Sequence, residues 1–257
     1  MERIRAVALR AAMEAGAFLK KRFGEKQIVS FKGEIDPVTE ADRRSEQMIT
    51  EIILREFPDH SLLSEEKGRH EGTGAFRWII DPLDGTTNYL HGFPFFSVSI
   101  AVEREGELCY GIVYDPLREE RFEAEKGRGA SLNGQRIRVS QVKDLASALL
   151  ATGFPYDVRK GGNDNIAHFV NFLRIAQAVR RPGSACLDLC YVAAERFDGF
   201  WELKLHPWDM AAGGLLVEEA GGKVTDFQGR PYSIYRDEIV ASNGWIHEAM
   251  LKVLASA

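Results

Sequence analysis

Two aspartates separated by two residues, Asp81 and Asp84, lie in the segment WIIDPLDGTTNYLHG at 78–92. An apolar run, Trp78, Ile79 and Ile80, leads directly into Asp81. A buried carboxylate without a partner is costly, so an acid at the end of such a strand needs hydrogen bonds, a helix end or a metal ion. Pro82 removes a backbone donor and stiffens the bend. Both acids can then converge on one point, with the Leu83 carbonyl between them. Gly85 permits close backbone approach, and Thr86 and Thr87 open a short helix whose amides can bind a phosphate. One turn thus offers hard oxygen ligands beside an anion cradle, which is what magnesium-assisted phosphate chemistry requires. For this segment alone a plainer reading stays open, in which Asp84 caps the helix and Asp81 accepts a turn amide.

Other acids can join that turn. Ser64-Glu65-Glu66 leaves a short apolar strand at 61–63, although paired glutamates are commonly just solvated. His206-Pro207-Trp208-Asp209 opens a helix carrying Ala211-Ala212-Gly213-Gly214. Asp209 falls in its first turn, where the helix dipole favours negative charge; capping alone also explains that position. Gly127-Arg128-Gly129 reads as a bend in a hairpin rather than a phosphate loop. The three cysteines, Cys109, Cys186 and Cys190, are odd in number and form no CxxC pair. That argues against a disulfide framework or a zinc site, and Cys186 and Cys190 read as small core residues on one helix face.

The elements that must position these residues follow from periodicity. Ile4, Val7, Ala8, Ala11, Ala15, Phe18 and Leu19 mark an amphipathic helix over 3–23, ended by Gly24. Thr39 and Asp42 form a capping box for a second helix over 40–57, with Met48, Ile49, Ile52 and Ile53 as its buried stripe. Strands are expected at 78–80, 98–102, 108–114 and 121–124, with an Asn133-Gly134 hairpin turn after them. From 144 onward strands at 149–152, 200–203 and 239–241 alternate with helices near 166–176, 185–195, 208–220 and 245–255. Residues 1–143 therefore read as an α+β half with an antiparallel sheet, and 144–257 as an α/β half with a mostly parallel sheet.

Composition narrows the classes. The chain has 257 residues, 45% of them hydrophobic, and a net charge of −5. Such a chain can bury a large core, and nothing in it resembles a basic nucleic-acid surface. An acidic protein handling a phosphate needs bound cations or local lysines to reverse the field. No apolar run approaches the ~20 residues that span a bilayer. The opening MERIRAVALRAAMEAG is too charged for a secretory signal, so a cytoplasmic location is expected.

Taken together, DPLDGTTN at 81–88 and WDMAAGGLLVEEAGG at 208–222 resemble the two signatures of the inositol monophosphatase family, in the wider lithium-sensitive phosphatase superfamily. Ser64-Glu65-Glu66, KGEIDPVTEAD at 32–42 and GSACLDLCYVAAERFDGFWE at 183–202 fit in the same order, so the resemblance covers nearly the whole chain. It implies a layered αβαβα sandwich with the site between the halves. It also implies hydrolysis of myo-inositol monophosphate by a metal-activated water, with two or three Mg2+ ions. Glu65, Asp81, the Leu83 carbonyl and Thr86 would surround a first ion, and Asp81, Asp84 and Asp209 a second. Glu65 would also touch a third, largely hydrated one. Asp42 would pair with Thr86 to orient the attacking water, and the amides of Gly85 and Thr86 would bind phosphate. Gly183, Ala185, Glu202 and Asp84 would meet substrate hydroxyls. Lys32 matches a basic residue on a mobile loop, here one residue shorter before Asp42 than in the animal enzymes. His206 and Asp198 also match family positions and read as structural. The resemblance further implies a homodimer.

Rival readings follow from the same residues. Fructose-1,6-bisphosphatase or dual-specificity activity is the nearest, with histidinol phosphatase and nucleotide 3′-phosphatase behind it. A haloacid-dehalogenase phosphatase would need DxDGT, and DPLDGT has one residue too many for in-line attack by the first aspartate. A regulatory, partner-binding role on the same fold is the rival from outside enzymology.

Overall fold

The computed structural model of the chain describes residues 1–26, 29–31, 37–162 and 164–256. In chain order the first half holds helix α1 (Glu2–Arg22), strands β1 (Val29–Phe31) and β2 (Pro37–Thr39), helix α2 (Glu40–Glu56), and strands β3 (Ser61–Ser64), β4 (Gly68–His70) and β5 (Phe76–Asp84). Helix α3 (Thr86–Leu90) and strands β6 (Ser97–Arg104), β7 (Glu107–Asp115), β8 (Glu120–Glu125), β9 (Gly129–Leu132) and β10 (Gln135–Arg136) follow. The second half holds β11 (Leu149–Thr152), α4 (Ile166–Leu173), β12 (Ala178–Arg180), α5 (Ala185–Ala193), β13 (Gly199–Leu203), α6 (Pro207–Glu219), β14 (Lys223–Thr225), β15 (Glu238–Ser242) and α7 (His247–Leu254).

The expected helices and strands form where periodicity puts them. Helix α1 buries Ile4, Val7, Ala8, Ala11, Ala15 and Leu19. Helix α2 starts at the expected capping box. Asp42 Oδ2 accepts from the Thr39 amide at 2.8 Å and from its hydroxyl at 2.5 Å, while Thr39 Oγ1 accepts from Ala41 N at 3.1 Å. Asn133 and Gly134 take positive φ in the β9–β10 turn. Gly127 and Gly129 lie in the preceding bend, where their amides are held by the Glu219 carboxylate.

Two large sheets organise the chain. Eight strands run in the order β10-β9-β8-β7-β6-β5-β3-β4, antiparallel except where β3 pairs with β5. Five strands run in the order β12-β11-β13-β15-β14. In that second sheet β11 pairs in parallel with β12 and β13, and the two joins to β15 are antiparallel. The strand–helix alternation thus produces parallel pairing for the first three strands and a mixed sheet overall.

Three buried clusters separate the layers. One joins α1 and α2 to a face of the large sheet, through residues such as Leu19, Ile49, Trp78, Ile80 and Ile112. A second fills the centre, from Ile79, Val113 and Phe122 through α5 and α6 to Phe200 and Ile239. The third packs Leu150, Trp201 and Val240 against Phe172, Met250 and Leu254 on α4 and α7. The order is helices, sheet, helices, sheet, helices.

The small residues of α6 make the central layer possible. A Cβ on Gly213 would lie 2.6 Å from Leu189 Cβ, and one on Gly214 would lie 2.5 Å from the Tyr232 hydroxyl. On the facing strand, a Cβ on Gly111 would lie 3.0 Å from Ala212 Cα. Helix α6 therefore approaches α5 and β7 at backbone range and carries Asp209 into the centre of the molecule. No helix of the described residues is long and apolar enough to cross a membrane.

His247, at the start of α7, gives the packing of that helix on β14 and β15 a pH limit. It is fully buried, with its ring nitrogens 2.9 Å from the hydroxyls of Thr225 and Ser242. Burial, then the charge of Lys223, pushes its pKa down to about 4. A folded pKa below the unfolded value means the neutral ring favours folding above pH ~6.5, and that contribution is lost as pH falls toward 4. The loss is at most about 3 kcal/mol. We expect Tm to fall over that window and His247→Gln to flatten the fall; an equally steep fall in the variant would exclude His247 as the cause.

Candidate active site

The end of β5 carries the first two acids. Asp81, 2% exposed, accepts the Leu83 amide on Oδ1 at 3.0 Å. The bend between Asp81 and Asp84 breaks the β5–β6 register, as Pro82 requires. Ser45 Oγ on α2 donates to the Pro82 carbonyl at 2.7 Å and fixes the bend from behind. Asp84 does not cap α3. Its Oδ2 accepts from Ser184 Oγ, from Ser97 Oγ at 3.3 Å and from Cys186 N at 3.0 Å, so it lies at the start of α5. Gly85 has φ +90°, and a Cβ there would lie 3.0 Å from the Phe95 carbonyl, so only glycine fits.

Behind this turn, Thr86 Oγ1 donates to Asp42 Oδ1 at 2.8 Å and lies 3.0 Å from the Leu83 carbonyl. Asp42 is 1% exposed, and its other oxygen is held by Thr39. It lies behind Thr86 and does not line the cleft. Asp209 Oδ2 accepts the His206 amide at 2.6 Å, so it does cap α6, and it also joins the acids of β5.

The cleft, of about 330 Å3, is lined by residues from β3–α3 and from the later stretch 153–209. Glu65, Asp81, Leu83, Asp84, Gly85, Thr86, Gly183, Ala185, Glu202 and Asp209 all line it. Residue 32, expected on a nearby loop, lies outside the described residues. His206 stacks on Trp208 with ring centroids 4.8 Å apart. Asp198 accepts from Ser140 Oγ at 2.6 Å and from Leu149 N at 2.7 Å, which is a structural role.

Electrostatics describes what the cleft can hold. Burial, then the charges of Glu65, Asp84 and Asp209, pushes the Asp81 carboxyl well above the usual carboxylate range. Asp209 is pushed up by burial and then by Glu65. For Asp84 burial also raises the pKa, against the hydrogen bonds from Ser184, Cys186 and Ser97. Acids that destabilise one another in a dry site are stabilised by a cation. Asp81 and Asp84 can place oxygens within 4.8 Å of each other and of Cys186 Sγ. The Cys186 thiol is itself pushed far up by burial and by Asp84 and Asp81, and donates to the Asp209 carbonyl at 3.2 Å. A protonated thiol leaves an all-oxygen donor set, which suits a hard ion such as magnesium.

The model of the inositol monophosphatase family matches residues 1–257. The chain belongs to this family. The inositol-1-monophosphatase of Rhizobium meliloti is 45% identical over 251 residues, covering 96% of this chain and 94% of that protein. The Nus factor SuhB of Pseudomonas aeruginosa is 46% identical, again covering 96% and 94%. Among solved structures, the inositol monophosphatase from Anabaena superposes with a TM-score of 0.90 at 42% identity, covering 100% of this chain and 96% of that one.

In this inositol monophosphatase family member, two buried acids beyond those expected also bear on the site, one from behind the lining and one within it. Glu46, one turn after Asp42 on α2, accepts the Glu66 amide at 2.8 Å and the Lys67 amide at 3.4 Å. It thereby shapes the turn that presents Glu65. Asp188 on α5 is 1% exposed and lines the cleft. A single acid within the apolar run CLDLC was the signal available in the sequence.

Proposed function

We propose that this chain hydrolyses myo-inositol monophosphate to myo-inositol and phosphate, with magnesium as its cofactor. Family membership supports phosphatase activity. The convergence of Glu65, Asp81, Asp84 and Asp209 on one cleft, where three of them raise the Asp81 pKa, is the observation that carries the reading. With the Leu83 carbonyl and Thr86, these residues would hold two or three ions, which would neutralise the phosphate and activate water. The chain's own groups do the rest. Asp42 accepts the Thr86 hydrogen, a charge-assisted bond favoured over the Leu83 carbonyl. The Thr86 oxygen is then free to accept a hydrogen from the attacking water. Amides of Gly85 and Thr86 would orient the phosphoryl group, and Gly183, Ala185, Asp84 and Glu202 would meet the leaving alcohol. Fructose-1,6-bisphosphate is the nearest alternative substrate.

Glu202 separates these substrates. Its carboxylate lies against Gly153, where a Cβ would approach Oε1 to 2.0 Å. Burial pushes its pKa up to about 8, opposed by Arg181 and assisted by Asp84. Above pH 8, where Glu202 is ionised, we expect Glu202→Gln to raise KM for inositol 1-phosphate about tenfold, by weakening hydrogen bonds to ring hydroxyls. Hydrolysis of a simple aryl phosphate should suffer much less. A panel of inositol 1-phosphate, fructose 1,6-bisphosphate and 4-nitrophenyl phosphate tests this, and equal losses on all three would exclude a recognition role.

The exposed apolar residues Ile166, Val170, Leu173 and Ile175 support a homodimer, and the three free cysteines fit a cytoplasmic setting. Relatives named Nus factor support a second reading, partner binding on the same fold. Loss of phosphatase activity with retained partner function in an Asp81→Asn variant would favour it.

A further inference from the structure

Asp188 is buried, and its Oδ1 has no hydrogen-bond partner among the described residues. This contrasts with Asp84, whose Oδ2 takes three donors, and with Asp198, both of whose oxygens are held. An orphaned buried acceptor lowers stability, so it points to a partner that arrives from outside. Asp188 shares its cleft with Glu202, Arg181, Gly183 and Ala185. Burial, then the charge of Glu202, pushes the Asp188 carboxyl well above the usual carboxylate range, and Arg181 is the cation that opposes the rise at both Asp188 and Glu202. Lys204, the other long cation of the lining, is committed to Asp157 at 2.9 and 2.7 Å.

An acceptor without a donor selects ligands by what they offer. A polyol brings O–H donors, whereas a phosphate dianion brings only acceptors and negative charge. We propose that Asp188 is a specificity-determining residue that accepts a hydroxyl hydrogen of the leaving alcohol beside Glu202, and so favours polyol monophosphates over substrates with a second phosphate there. The inference rests on the phosphatase reading and adds to it the residue that reads the alcohol.

The test uses the purified full chain with magnesium. For wild type and Asp188→Asn, kcat/KM is measured on inositol 1-phosphate, fructose 1,6-bisphosphate and 4-nitrophenyl phosphate. The ratio of inositol 1-phosphate to 4-nitrophenyl phosphate should fall about tenfold in the variant, through KM. The ratio of the bisphosphate to inositol 1-phosphate should rise. The metal-free Tm should stay level or rise, because an unsatisfied buried acid has been removed. Ratios within one preparation do not depend on the folded fraction. Asp188→Ala, which removes the acceptor without adding a donor, must shift them the same way. Unchanged ratios, or a fall in Tm with equal losses on all substrates, would overturn the role of Asp188. A wild-type chain inactive on all three substrates would overturn the phosphatase reading instead.

Discussion

Asp81→Asn is expected to lower kcat/KM by about 10³-fold or more, whereas Glu66→Gln should cost less than tenfold. Asp81 is the acid that burial and three neighbouring carboxylates shift together, so it lies at the focus of the cluster. In the proposed site it would bridge two ions, and a metal's contribution of several kcal/mol at ~1.4 kcal/mol per decade gives this scale. The side chain of Glu66 lies outside the cleft lining, and its amide is held by Glu46. Stability supplies a second readout. The folded pKa of Asp81 lies above its unfolded value, so its ionised form opposes folding at neutral pH when no cation is bound. Asp81→Asn should therefore raise the metal-free Tm while removing most of the rise that magnesium produces in wild type. A variant that keeps both its activity and its magnesium-induced Tm shift would remove Asp81 from the metal site.

Asp42→Asn is expected to cut kcat by roughly 10²- to 10⁴-fold, the usual contribution of positioned proton transfer, with magnesium affinity little changed. Asp42 lies behind the cleft lining, so it acts through Thr86. Its carboxylate is held by Thr39 on one oxygen and faces Thr86 with the other, so the proton path is fixed before substrate arrives. The same change weakens the α2 capping box by ~1 kcal/mol, which a Tm measurement separates from the kinetic loss. Attack by water also requires inversion at phosphorus. A chiral phosphorothioate substrate hydrolysed with retention would indicate a phosphorylated residue and contradict this arrangement.

The sequence made the β5 turn legible because its signals are local. Pro82, Gly85 and the paired aspartates act within five residues of chain, and the Thr39–Asp42 box is equally short-range. What it hid depends on distant chain. The partners of Asp84, namely Ser97, Ser184 and the Cys186 amide, are 13 to 102 residues away. Glu46 reads as an ordinary helix acid until the Glu65–Glu66 turn folds over it. Asp188 looks like a polar interruption of an apolar helix until Glu202 and Arg181 arrive beside it. Strand direction was hidden for the same reason. Alternating helices and strands suggest parallel pairing, yet β15 enters between β13 and β14 antiparallel to both.

Metal-dependent hydrolysis is measured by release of inorganic phosphate from inositol 1-phosphate by the purified chain, with magnesium, after chelation, and after magnesium is restored. Four converging carboxylates require a cation to meet a phosphate, so hydrolysis is expected with magnesium, none in excess chelator and recovery on restoration. Undiminished hydrolysis in excess chelator would contradict that requirement.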